Sequence, residues 1–299
     1  MIEFITRRDE MFGQTLKQIR EAKNLTAKEV AHEILSPSQL SRIEKDEGLP
    51  AADKFFKLLS RLNTDFEEFS LVSDDPYLNQ RTILQTEVGE TLRQKNPKKI
   101  RALIEKLELL SQKYGDSYFN HMKSILKASF ILHTTNDTLQ ARSELKTVVE
   151  YLKGVNTWYL YELTLFNNTF MFYDYDTSIS FSNFARKSLE KRYHEPKYVH
   201  VSRSILYNLA VKSLEENLYL TAYNYANEAI GLPQSTISLY TTTQAKIIIQ
   251  IASYKLKNGQ FEPKKLSFFL QYFTLMDMSD ISLQFKKVLE KHHIPTTEF

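Results

Sequence analysis

The stretch NLTAKEVAHEILSPSQLSRIEKDEGLP, residues 24–50, starts two helices within ten positions of each other. Thr26 followed by Glu29 is a capping box, in which each side chain satisfies the other residue's free backbone N–H. Ser36, Pro37 and Gln39 state the second start three ways: a hydroxyl cap, a proline at the first helical position, and an amide at the third. Gly48 and Pro50 stop that second helix. The spacing predicts a helix over 27–34, a link of two or three residues, and a short helix beginning at Pro37. Val30 and Ile34 turn inward on the first, Leu40 and Ile43 on the second. A pair of this kind is a helix-turn-helix inside a compact all-α domain.

The flanks supply the rest of the domain. Phe12, Leu16 and Ile19 form one apolar stripe on FGQTLKQIREAKN. AADKFFKLLSRLN offers Phe55, Leu58, Leu59 and Leu62, and a fifth short helix, DFEEF, follows Asp65. With Leu40 and Ile43 turned inward, Ser38, Gln39, Ser41, Arg42 and Lys45 face outward. Gln can read adenine bidentately, Arg or Lys can read guanine or hold phosphate, and Ser takes either role. The free N–H groups at the helix start by Ser36 also suit a phosphate. The full candidate DNA-binding set is Lys17, Arg20, Thr26, Lys28, Ser36, Ser38, Gln39, Ser41, Arg42 and Lys45. The alternative is a solvated polar face on an ordinary helix. Charge does not choose between them, since residues 1–70 hold 11 Lys and Arg against 13 Asp and Glu.

GQTLKQIREAKNLTAKEVA, and LSPSQLSRIEKDEGLP with the helix after it, resemble the lambda-repressor-like helix-turn-helix family known as XRE, with SRIE and its Gly-Pro stop the most recognisable piece. Two departures stand out. Ala27 stands where the family usually has a phosphate-clamping Gln, and the turn HEILSPSQ has no Gly and is a residue shorter. The shortened turn resembles the Rgg/MutR/GadR branch of regulators, over the whole chain length.

The remainder reads as helix after helix. The chain of 299 residues has only 7 Gly and 8 Pro, too few for the tight turns of a strand-rich fold. Residues 206–233 resemble a tetratricopeptide unit, with Leu206, Leu209 and Ala210 on one helix and Ala222, Ala226 and Ala229 on the next. Shifting back 44 residues sets Tyr175, Phe181 and Ala185 under Tyr219, Tyr225 and Ala229. Turn-like spots at 134–137, 173–176, 216–219 and 257–261 recur at a helical-hairpin period. About five stacked hairpins are expected, the first formed by 77–95 and 97–113. The expected architecture is all-α: an N-terminal extension (1–10), a five-helix lambda-repressor-like domain (11–70), a linker (71–78) and a tetratricopeptide-like right-handed α-solenoid (79–299).

A concave helical stack suits an extended peptide. WYLYELTLFNNTFMFY, residues 158–173, is its densest aromatic and amide run. On one helix, Leu160, Thr164, Asn167 and Met171 would share a side, with Tyr161, Asn168 and Phe172 adjacent. An amide side chain both donates and accepts, so it can pair with a peptide backbone. Arg203, Tyr207 and Asn208 repeat the theme one unit later. The alternative is that the aromatics are core and the amides cap or bond a neighbouring helix. The Rgg-like resemblance implies that the repeats sense short hydrophobic signalling peptides and that homodimers act on promoters. It also implies that ELTLFNNTFMF, with Asn168 foremost, belongs to the peptide surface. Some relatives join protomers through a disulfide; this chain has no Cys, so its dimer would rest on non-covalent contacts. Leu266, Phe268, Phe269, Leu270, Phe273, Leu283, Phe285 and Val288 exceed what a capping repeat needs, and are expected to aid dimerisation.

The remaining expectations are absences. No Gly-rich phosphate loop occurs, HEI at 32–34 lacks a second His, and His292 and His293 lack a partner at helical spacing, so neither cofactor, metal nor enzyme activity is expected. No apolar run reaches about 18 residues, and MIEFITRRDEM lacks the core of a signal peptide. The chain is expected in the cytoplasm, with pseudo-palindromic double-stranded DNA, a hydrophobic peptide, its own copy and RNA polymerase as partners. Two other readings stay open: the same architecture without a peptide, and an interaction scaffold that binds no DNA.

Overall fold

The computed structural model describes residues 12–73, 76–94, 96–190, 192, 195–233 and 239–294, so the expected extension 1–10 lies outside the described residues. The chain divides into two compact units, Met1–Gln94 and Lys95–Phe299. All regular structure among the described residues is helical.

The first unit holds α1 (Phe12–Ala22), α2 (Ala27–Ala31), α3 (Pro37–Ile43), α4 (Ala52–Arg61), α5 (Phe66–Val72) and α6 (Pro76–Gln94). Both capping boxes are formed: Glu29 N–H donates to Thr26 and Gln39 N–H to Ser36, each answered by the reciprocal side-chain bond. Helix α2 is shorter than the expected 27–34. It ends at Ala31, and Glu33 then takes a left-handed conformation with φ 62°. Glu33 thus makes the chain reversal that a glycine usually makes. Helices α5 and α6 flank Ser73 and end or begin inside the stretch read as a linker.

The core of this unit is Leu16, Ile19, Val30, Ile34, Leu40, Ile43, Phe55, Leu58, Leu59, Leu62 and Phe69. Burying each large side chain contributes on the order of 1.5–3 kcal/mol. Phe12, Phe55 and Phe69 form a triangle of rings, with centroids 4.9, 5.1 and 5.2 Å apart. Helix α1 lacks an acidic residue in its first turn. Asp46, just beyond α3, supplies one: the Gly13 N–H donates to its Oδ1 at 2.6 Å. A Cβ at Gly13 would stand 1.7 Å from the Ile43 carbonyl oxygen, so only glycine permits this approach.

The second unit holds α7 (Pro97–Tyr114), α8 (Ser117–Thr135), α9 (Thr138–Glu144), α10 (Lys146–Gly154) and α11 (Leu160–Thr169), then a 3-10 turn (Phe170–Phe172). It continues with α12 (Tyr175–Leu189), α13 (Pro196–Glu215), α14 (Tyr219–Gly231), α15 (Leu239–Leu256), α16 (Pro263–Leu275) and α17 (Ser279–Lys291). Helices α8, α11, α13 and α15 touch in succession as one layer, and the helices between them in sequence pack behind. Each anticipated turn is present: Asn136 and Asn217 adopt positive φ, Asp174 caps α12, and Gly259 precedes α16. The expected first hairpin, 77–95 with 97–113, is divided between the two units: α6 groups with the first and packs on α5. Ala222, Ala226 and Ala229 are fully buried and let α14 lie close to α13 and α15. Trp158 anchors the middle of the stack, donating to the Leu152 carbonyl at 3.1 Å and touching Phe166, Phe181 and Phe184.

Candidate functional site

Helix α3 presents the face its sequence implies. Leu40 and Ile43 are in the core, while Ser36, Ser38, Gln39, Arg42 and Lys45 are exposed and Ser41 is half-buried. Thr26 and Lys28, at the start of α2, and Lys17 on α1 are exposed as well. The cap engages part of this set. Gln39 Oε1 accepts from the Ser36 N–H at 2.9 Å, which occupies the amide oxygen, and Thr26 Oγ1 donates to Glu29 at 2.7 Å. Arg42 lies 3.6 Å from Glu47 in an exposed pair, the kind that contributes little to stability.

Arg20 is a correction. Its side chain is only 12% exposed and is turned into the unit. Its Nε and Nη2 grip Glu44 at 2.6 and 2.8 Å, and Nη1 donates to the Leu25 carbonyl at 2.9 Å. These bonds join α1, the turn before α2 and the end of α3, and the bond to Glu44 holds the guanidinium pKa above its ordinary value. With three of its five N–H groups committed to these acceptors and little of its surface exposed, the guanidinium is turned away from a phosphate. The sequence reading missed Lys54, which with Gln39 and Arg42 lines a groove of about 510 Å³ between α3 and the start of α4.

The repeat candidates separate into three groups. Asn167 and Asn208 come together: Asn208 Nδ2 on α13 donates to Asn167 Oδ1 on α11 at 3.1 Å. Thr164 is half-buried on the same helix as Asn167, and Asn168 is exposed beside it. Tyr161 is half-buried and bonds His121 Nδ1 at 2.7 Å, next to Tyr151, whose hydroxyl donates to Glu162 at 2.6 Å. Burial, then the Glu162 carboxylate, pushes the Tyr151 phenol up to about 12.

Phe172 and Arg203 are corrections. Helix α11 ends at Thr169, so Met171 and Phe172 sit on the 3-10 turn and the expected stripe is broken there. Met171 is exposed but Phe172 is in the core. Arg203 is fully buried, and it donates to the carbonyls of Ala229, Leu232 and Pro233 at the end of α14. Burial lowers its pKa. Both side chains brace the stack from within, and the Arg203 Nη1 is left without a hydrogen-bond partner among the described residues. Tyr207 remains available in part: it lines a cavity of about 370 Å³ bounded by α13, α15 and α17. The other lining residues, among them Gln244, Gln284, Lys287 and Lys291, carried no signal in the sequence beyond helical periodicity.

Residues 93–287 match the family model described as the C-terminal domain of the HTH-type transcriptional regulator Rgg, and residues 16–69 match a helix-turn-helix model. The chain belongs to the Rgg family. Solved structures share the fold over nearly the whole length. A protein from Listeria monocytogenes EGD-e superposes with TM-score 0.77 at 22% identity, covering 95% of this chain and 99% of that one. The SHP pheromone receptor Rgg2 of Streptococcus dysgalactiae gives 0.71 at 21%, covering 94% and 99%. Bacillus thuringiensis PlcR, solved with the peptide PapR7 and DNA, gives 0.65 at 19%, covering 92% and 99%. In this Rgg regulator the glutamate of SRIE is Glu44, the buried partner of Arg20. The acid of that motif therefore braces the end of α3. Among the described residues no helix is long and apolar enough to cross a membrane, and no group of His, Asp and Glu could hold a metal ion.

Proposed function

We propose that this Rgg regulator binds promoter DNA as a cytoplasmic homodimer and that its repeat unit senses a short hydrophobic peptide. The observation that carries the DNA half is the division of α3. Leu40 and Ile43 are locked in the core, Glu44 is clamped by Arg20, and Ser38, Gln39, Arg42 and Lys45 are left facing solvent. A dimer would set two such helices about 34 Å apart, on successive turns of a pseudo-palindrome. The peptide half is supported by the exposed or half-buried amides Asn167, Asn168 and Asn208, and by two similar folds whose structures are of a pheromone receptor and of a peptide complex. Bound peptide would shift an equilibrium between dimer geometries, or between partners such as RNA polymerase. For dimerisation, α16, α17 and the turn between them offer Phe268, Leu275, Met276 and Leu283, all exposed, beyond the Leu266, Leu270, Phe273 and Phe285 that serve the core.

The test is a gel shift with DNA from upstream of the chain's own gene, at two salt concentrations. The Ser41→Ala/Arg42→Ala variant should lose the shift with its helical circular dichroism unchanged. Retention of the shift would overturn the assignment of α3. Calorimetry against short hydrophobic peptides, with Asn168→Ala and Asn167→Ala beside the parent chain, tests the peptide half.

A further inference from the structure

The cavity bounded by α13, α15 and α17 has a chemistry that neither the core nor the amide pair accounts for. Its wall is apolar, from Val211, Ile248 and Val288 with the ring of Tyr207. Its volume of about 370 Å³ falls at the small end of the range for ligand sites, on the order of 300–1,000 Å³. On α17 the lining positions Gln284, Lys287, Val288 and Lys291 fall at i, i+3, i+4 and i+7, a single helix face turned to the cavity. Lys287 and Lys291 are one turn apart, both exposed, and neither pairs with a carboxylate among the described residues. Like charges at that spacing repel, and a bound anion would relieve the repulsion. Glu215 is the one carboxylate on the lining, against two lysines. A second observation marks the same end as positive. After burial itself, the charges that hold the His292 pKa down are Lys291, Lys255 and His293.

We infer that this cavity receives the C-terminal end of the signalling peptide, with its last apolar side chains on the wall and its free carboxylate on Lys287 and Lys291. The inference rests on the peptide half of the proposed function. Gln244 and Gln284 favour a peptide over a simple aliphatic acid. An amide side chain can answer a backbone N–H and C=O, which an aliphatic acid lacks. The carboxylate adds charge-assisted hydrogen bonds at the rim, where each lysine offers three donors.

The test is affinity selection on the full chain with two pools of synthetic heptapeptides. Both carry Leu, Ile, Val, Phe or Trp at each of the last four positions; one ends in the free acid, the other in the amide. Mass spectrometry of retained peptides should favour the acid pool roughly tenfold, the scale of a hydrogen bond to a charged group. The Lys287→Gln/Lys291→Gln variant, altered only at exposed positions, should fold and should lose that preference. Equal retention of acid and amide by the parent chain would overturn the carboxylate site while leaving peptide sensing intact. A preference that survives in the variant would also overturn it. Retention of neither pool would overturn the site together with the peptide reading.

Discussion

Arg20 and Glu44, 24 positions apart, form a two-bond ion pair at 2.6 and 2.8 Å that joins α1 to the end of α3, the helix proposed to read DNA. Both side chains are largely buried, at 12% and 5% exposure. Removing one partner leaves the other charged and desolvated. Arg20→Ala should therefore destabilise this unit by about 3–5 kcal/mol. Arg20→Lys should not restore it, because a single ammonium cannot reproduce the fork. Arg20→Met combined with Glu44→Leu should recover most of the loss. Hydrogen exchange of the amides in α1 to α5, measured in the full chain, checks all three.

Gly13→Ala would ordinarily strengthen a helix by about 1 kcal/mol. Here the added Cβ would fall 1.7 Å from the Ile43 oxygen and 2.8 Å from Asp46 Oδ1. Backbone must move, and the Asp46 cap on the Gly13 N–H is displaced with it. The substitution should destabilise by about 1–3 kcal/mol. Chemical denaturation followed by circular dichroism would read the change, and an unchanged or raised midpoint would refute the close approach.

Gln39 has two tasks that one substitution can separate. Its oxygen serves the cap at Ser36, while its amide N–H₂, on an exposed side chain, is the donor proposed for a base edge. Gln39→Glu keeps the capping oxygen, since Glu at this position completes the same box. It removes the donor proposed for adenine and adds a negative charge to the face proposed to meet the phosphates. Stability should stay within about 0.5 kcal/mol, and operator affinity should fall by roughly tenfold, the scale of one lost hydrogen bond joined by an added negative charge. Gel shifts and thermal melts on the same preparation separate the two effects.

Two buried histidines should make the repeat unit weaker in mild acid. Burial holds His121 below its usual 6.5, against a smaller opposing pull from Asp116 and Glu162, and His292 is lowered as well. Below 6.5 the unfolded chain binds protons that the folded chain refuses, so this stability is present above about 6.5 and is lost as pH falls. Carboxylates held low by their partners, such as Asp174, act below about 4.5 and outside this window. Urea unfolding should give a lower midpoint at pH 5.5 than at 7.5. The His121→Gln/His292→Gln variant should flatten the difference.

Where a local rule and burial agreed, the sequence was legible. Thr26 and Ser36 announced both boxes, Leu40 and Ile43 faced inward, and Ala222, Ala226 and Ala229 marked the tight crossing of α14. It misled where tertiary partners decide the fate of a polar side chain. Arg20 and Arg203 look like surface cations, yet each is taken up by acceptors distant in sequence: Glu44 for one, the carbonyls closing α14 for the other. Periodicity carried the reading of α11 past Thr169, where the backbone tightens into a 3-10 turn and buries Phe172. Lys287 and Lys291 went unremarked because the cavity they rim exists only once three helices distant in sequence are assembled.

The contact of Gly13 with the Ile43 carbonyl leaves no cushion of side chain between two backbones. A rotation of α1 would therefore be passed on to α3 as by a rigid lever, with nothing soft to absorb it. Whatever tugs on α1 would also tilt the exposed face of α3 proposed to meet the double helix.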